Sequence, residues 1–375
     1  MEGLIKKFLN KIHNQGLSNR DDTIIIAFDD RAYSNADLID KYTEVFDFLN
    51  INTLIVSTPS EPYKTVVQEI INDPDTNCLI KPVDCETRTF FHDIPIIEDD
   101  SPQSIISALS RRKSAVTKNG KIITYGTISP EQAYISLSSV CFSLFVKYLY
   151  DALEFKKIGE SLSFILSFCN EIEITKGCLL HRARGIIDEI TEAGKALINL
   201  RLVDSYFGNI SCLFEDKIYI SQTGSSLDEL EDAIDIVPID GSSTNAITAS
   251  SEYAAHRLIY EKTDFKFILH GHPKFSVILS MLCNKKYCKG DDCYRTCKEE
   301  RKIGNVQIVS GEIGTGKWGL LNTVPLAMTK SSVVAVYGHG IFSGSKLNFN
   351  EALKRTIEAE NYCIREYKRL IDELK

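Results

Sequence analysis

The sequence predicts an α/β protein with two domains, on three observations. Short apolar runs alternate with amphipathic, helix-spaced segments through both halves, the pattern of strands packed under helices. The 375 residues suffice for two domains at about 100–200 residues each. A weakly polar stretch at 158–178 joins the halves and places the boundary near Thr175, giving a smaller N-terminal α/β domain over 1–174 and a second domain over 175–375.

The elements follow in order. Residues 1–15 (MEGLIKKFLNKIHNQ) space their apolar side chains as an amphipathic helix does. Residues 23–28 (TIIIAF) form a short apolar run, expected as a buried strand, and Ser34 with Asp37 three positions on predicts a capped helix. Strand 52–57, helix 63–72 and short strands at 78–83 and 94–97 come next. Ser101-Pro102 is a cap-and-first-turn pair that opens a helix to about Arg111. Residues 114–126 read as two strands around Asn119-Gly120, and Ser129-Pro130 opens a long helix to about Leu153. In the second half, a helix is expected over 179–200, strands at 209–213 and 217–222, and a helix from 248–250. Strands follow at 265–270, 306–309 and 333–337, and a long amphipathic helix runs from about Asn350.

Composition narrows the function classes. Lys+Arg number 43 and Asp+Glu 51, for a net charge of −8. That acidity argues against a nucleic-acid or anionic-membrane binder, since phosphate neutralisation needs a basic field. No apolar run follows the N-terminal lysines as in a signal peptide. The apolar stretch 135–155 carries Lys147 and Asp151, which suits a buried helix better than a membrane span. Most of the 11 cysteines are scattered singly, as reduced thiols are, so a cytoplasmic location is expected.

The chemistry concentrates in the second half. His270-Gly271-His272 closes an apolar run, and on a strand residues i and i+2 project from one face. His339 stands between two glycines after another strand. If those strands are neighbours, three neutral imidazoles converge with a fourth position open, the donor set of a catalytic zinc. Ser250-Ser251-Glu252 precedes a helix whose free amides and hydroxyls suit an anion, with Glu252 placed to act as a base or to fill the open metal position. Gly208-Asn209 and Thr223-Gly224 flank a hairpin and could cradle phosphate or serve as plain turns.

Taken together, GNIS at 208–211, Thr223-Gly224, SSE with His256 four residues on, HGHP at 270–273 and Gly338-His339-Gly340 before a Glu-Ala helix resemble the class II aldolase/adducin family, L-fuculose-phosphate aldolase in particular, over about 179–375. The resemblance implies an α/β/α sandwich around a central, mainly antiparallel sheet, in a homo-oligomer. His270, His272 and His339 match zinc ligands and Glu252 the catalytic acid/base. Gly208, Asn209, Thr223, Gly224, Ser250 and Ser251 match phosphate-binding positions, and His256 a structural one. The implied activity is a zinc-dependent aldolase that makes or breaks a carbon–carbon bond in a ketose phosphate through a metal-stabilised enediolate. A methylthioribulose-phosphate-type dehydratase or a pentulose-phosphate 4-epimerase stands as alternative on the same scaffold; the epimerase resembles this pattern with Asp at the Glu252 position. A non-catalytic adducin-like assembly module is the alternative of another class. The partners expected are a small phosphorylated sugar and copies of the chain, with neither nucleic acid nor membrane.

Four features stand outside that pattern. Cys283, Cys288, Cys293 and Cys297 lie in a Lys/Asp-rich insertion, close enough to bind a second zinc or an iron–sulfur cluster, or to be free thiols. Gly311 to Trp318 imitates a phosphate-binding loop but puts Trp318 where Ser or Thr should hold magnesium. Tyr362 and Tyr367 match no family tyrosine. Finally, 114–137 resembles 332–356, with Asn119 opposite His339 when Gly120 is aligned with Gly340. The first domain therefore reads as a partial, degenerate, non-catalytic copy without a metal.

Overall fold

The computed structural model of the chain describes residues 1–174, 185–204, 206–240, 242–283, 297, 299–312 and 316–375. They form two compact units, Met1–Cys169 and Asn170–Lys375. The residue expected at the domain boundary, Thr175, lies outside the described residues, as do Cys288, Cys293 and part of the glycine-rich loop before Trp318.

Unit 1 runs α1 (Glu2–Asn14), β1 (Ser18–Phe28), β2 (Ala32–Ser34), α2 (Ile39–Phe48), β3 (Thr53–Pro59), α3 (Tyr63–Asn72), β4 (Leu79–Ile80) and α4 (Cys85–Phe91). It continues with β5 (Ile94–Ile97), α5 (Pro102–Leu109), β6 (Ser114–Thr117), β7 (Ile122–Gly126), α6 (Pro130–Glu154) and α7 (Ser161–Ser167). The strand order is β2-β1-β3-β7-β6-β5-β4. Neighbours are antiparallel except β5 and β6. Ser101 caps α5 by accepting the Ser104 amide, with Pro102 in the first turn. The helix expected from Ser34 begins only at Ile39, because Ser34 pairs with Ile26 across the sheet. Ladder pairing with a buried strand outweighs a local cap signal. By length and composition α6 could cross a membrane, but 83% of its apolar window is buried within the protein.

Unit 2 runs α8 (Ile186–Asn199), β8 (Asn209–Phe214), β9 (Lys217–Ser221), β10 (Ile234–Pro238), α9 (Tyr253–Lys262), β11 (Phe267–Gly271) and α10 (Lys274–Met281). It continues with β12 (Arg301–Ile303), β13 (Val306–Val309), α11 (Leu320–Met328), β14 (Val333–Val336), β15 (Gly340–Ser345) and α12 (Phe349–Leu374). The order is β10-β9-β8-β11-β15-β14-β13-β12, antiparallel throughout save β13 with β14. Alternation along β11 sends Leu269 into a core with α8 and α12, and Ile268 into a second core with α9 and α11. Helices thus cover both faces of a mainly antiparallel sheet, the α/β/α sandwich that the resemblance implies.

The internal likeness extends beyond 114–137. Unit 1 repeats the strand order and directions of unit 2 with β2, β1, β3, β7, β6, β5 and β4 in the places of β9, β8, β11, β15, β14, β13 and β12. Side-chain hydrogen bonds recur with it. Thr124 Oγ1 donates to Ala133 O at 2.8 Å, and Ser343 Oγ to Ala352 O at 3.1 Å. Asn35 Oδ1 accepts from Ile25 N, and Ser221 Oγ from Ile210 N. Even the turn after the first helix matches: Leu17 N donates to Ile12 O, and Leu202 N to Leu197 O.

Register then fixes the equivalent positions. Ser57 opposes Ile122 as Gly271 opposes Ile341, so Val56 stands at the place of His270 and Thr58 at that of His272. The amide of Gly120 donates to Thr117 O as that of His339 donates to Val336 O. Gly120, one residue beyond Asn119, is therefore the counterpart of His339. Leu38 and Glu252 each precede a ten-residue helix leading into β3 or β11. Val56 belongs to a buried apolar cluster with Tyr42, Val45 and Ile123. Where unit 2 gathers ionisable groups, unit 1 has core.

Candidate metal centre

The site forms at one end of the unit 2 sheet. β11 delivers His270 at its penultimate position, and its neighbour β15 starts one residue after His339. Antiparallel pairing of Gly271 with Ile341 brings the end of one strand beside the start of the other. His270, His272 and His339 are buried, and their ligand nitrogens lie within 4.8 Å of one another. His272 Nε2 is 3.0 Å from His270 Nε2. Glu252 closes the group from the start of α9, with Oε1 at 3.1 Å from His339 Nε2 and Oε2 at 3.5 Å from His270 Nε2.

The donor chemistry fits a divalent metal. His270 Nδ1 donates to Ile341 O at 3.0 Å, which leaves its Nε2 lone pair facing His272 and Glu252. Burial, then the neighbouring imidazoles, pushes the His272 pKa well below its ordinary value, so the ring is a neutral donor. Burial alone would raise the Glu252 pKa; attraction to His270 and His339 in their protonated forms, with a hydrogen bond from Asn209, outweighs it and holds the carboxyl well below its usual range. Lone pairs from three rings and an anionic carboxylate crowded together repel one another unless a cation sits among them, and three imidazoles with a carboxylate suit zinc.

Below the centre, Ser211 Oγ meets His256 Nδ1 and Tyr260 OH, each at 2.6 Å. This ties α9 to β8 one turn after Glu252. Burial pushes the His256 pKa down to about 3. The unfolded chain takes up that proton near pH 6.5, so stability is full above 6.5 and falls as pH drops toward 3. From His256 we expect about 2 kcal/mol to be lost by pH 5. Urea unfolding at pH 7 and pH 5 checks this, with a smaller loss expected in His256→Gln.

The expected phosphate positions divide. Thr223 Oγ1 accepts from Ser251 N at 3.1 Å, and Ser250 Oγ from Glu252 N at 3.3 Å, so Thr223, Ser250 and Ser251 cluster at the entry to α9. Gly224 borders open space. Asn209 Nδ2 donates to Glu252 Oε2 at 2.8 Å, while its Oδ1 is buried without a partner. Gly208 has φ +85° and would place a Cβ at 2.5 Å from His270 O. Gly208→Ala is expected to cost about 1–3 kcal/mol and displace β11 at His270, readable as a lower Tm. Of the cysteine group, only Cys283 and Cys297 are described, the first exposed and the second half-buried.

A model of the class II aldolase and adducin N-terminal domain matches residues 188–366. Unit 2 is a class II aldolase/adducin domain. Solved structures similar to the chain include an L-fuculose-1-phosphate aldolase from Thermus thermophilus, at 20% identity and TM-score 0.38, covering 50% of this chain and 93% of that one. Another L-fuculose 1-phosphate aldolase is 22% identical at TM-score 0.39, over 51% of this chain and 87% of that one. A sugar-phosphate aldolase from Thermotoga maritima is 18% identical at TM-score 0.36, over 49% and 94%. Among curated proteins no significant match is found.

Sequence reasoning missed three parts of this aldolase/adducin domain. Glu360, buried on α12, accepts from Phe275 N and Ser276 N, each at 2.9 Å, and so caps α10. Ser280 Oγ accepts from Gly338 N and holds the turn before His339. Lys274 and Asp204 form a buried ion pair at 2.7 Å. Only Lys274 left a signal, as a charge opening an apolar helical run.

Proposed function

We propose that unit 2 is a zinc-dependent aldolase acting on a ketose phosphate. The observation that carries the reading is the meeting of His270, His272 and His339 around one point with Glu252 in contact with two of them. A metal bound by those imidazoles supplies Lewis-acid polarisation of the substrate's carbonyl and hydroxyl oxygens. Glu252, anionic at neutral pH, accepts the proton from the carbon beside the carbonyl in the condensation direction and returns it there in cleavage. Asn209 orients that carboxylate. Thr223, Ser250 and Ser251, with the first amides of α9, hold the phosphate and contribute binding energy remote from the reacting carbon.

Product analysis with ketose phosphates tests the reaction. A triose phosphate is the expected product. Loss of water would replace this reading with a dehydratase, inversion at one carbon with an epimerase. Absence of metal from the purified protein would leave a non-catalytic assembly domain.

A further inference from the structure

The two copies of the fold form an internal control. Unit 1 builds the same sheet without the metal-site residues, so a costly feature present only in unit 2 is not required by the architecture. The Lys274–Asp204 pair is such a feature. Lys274 follows Pro273; in unit 1 the residue after the equivalent Pro59 is Ser60, and Asn19 stands at the place of Asp204. Burying two charges costs more desolvation than their attraction repays in most settings, so the pair is poorly explained as a contribution to stability.

Its placement gives the explanation. Leu202 and Gly208, between α8 and β8, lie against the backbone of the metal-binding turn: Leu202 O would be 2.8 Å from a Cβ on Gly271, and a Cβ on Gly208 would be 2.5 Å from His270 O. Phe207, on the same segment, lies flat on the His272 ring, with centroids 5.5 Å apart and planes 13° apart. Asn209, two residues on, holds Glu252. In unit 1 the corresponding residues 19–22 are exposed, whereas Asp204 and Phe207 turn inward.

We propose that Lys274 and Asp204 are positioning residues for the metal site. Their ion pair fastens Asp204 to the His270–Pro273 turn, so that Phe207 fixes the His272 ring and Asn209 reaches Glu252. The proposal rests on the reading of the three histidines as metal ligands.

The test is a zinc titration of the full chain against a chromophoric chelator, with the visible spectrum of the cobalt-loaded protein as a second readout. The variant Asp204→Leu/Lys274→Met removes both charges together and leaves neither one stranded. Its metal-free form is expected to melt close to wild type, its zinc affinity to fall about 10–100-fold, and its cobalt bands to shift. Wild-type affinity and spectrum in that variant would overturn the proposal while leaving the functional reading intact. If the double variant does not fold, Lys274→Arg and Asp204→Glu alter the length of the tether and keep the charges. Affinity is then expected to fall about tenfold, and unchanged affinity in both overturns the proposal. Wild-type protein that binds no metal through His270, His272 and His339 would overturn the functional reading and this proposal together.

Discussion

Glu252→Gln is expected to retain its metal and lose turnover, with kcat falling by about 10²–10⁴-fold, the usual contribution of a general acid/base. Gln has nearly the shape of Glu and can still accept the Asn209 amide. The three imidazole donors are untouched, so metal content per chain should remain at the wild-type level. What disappears is the group that carries the proton. KM for the ketose phosphate should move little, since the phosphate contacts proposed at Thr223, Ser250 and Ser251 are separate. Turnover equal to wild type would remove Glu252 from the chemistry, and loss of metal would make the carboxylate chiefly a ligand.

Replacing any one of the three histidines should have an effect of comparable size by a different route. His270→Ala, His272→Ala and His339→Ala each leave two imidazoles, and the expected results are loss of the bound metal and of activity. Chelation of the wild type should reproduce the activity loss, and added zinc should restore the wild type but not the variants. Zinc on the cysteine-rich segment would blur elemental analysis, so Cys293→Ser serves as the control that changes only that segment. Metal binding stabilises the native state by mass action, by about 2.7 kcal/mol at a hundredfold excess over Kd. The histidine variants should therefore lack the Tm rise that zinc gives the wild type. No metal is expected from unit 1, where Val56, Thr58 and Gly120 stand at the ligand positions; metal that survives all three histidine changes and Cys293→Ser would contradict this.

Where a local pattern is self-sufficient, expectation and structure agree. Helix 63–72 appears as expected, and α12 begins at Phe349 behind the Asn348 cap, which accepts the Glu351 amide. Agreement fails where partners distant in sequence decide. α4, β10, β12, α10 and α11 have too little period or length to be read. Helix α10 is buried along its whole length, so it has no polar face to betray it. That Asn209, expected on phosphate, also donates to Glu252 was not legible, because it follows from β8 lying beside β11.

The amino-acid sequence by itself determined the donor types, the two-residue spacing that puts His270 and His272 on one face, and the alternation that specifies an α/β protein, because each depends only on residue chemistry and backbone period. Only the tertiary structure decided that His339 and Glu252 join them, that Gly120 rather than Asn119 matches His339, and that a second, seven-stranded copy of the eight-stranded fold accompanies the site. Those are matters of strand order and register. Register is set by which faces of neighbouring strands are buried together, a property of pairs of segments far apart in the chain.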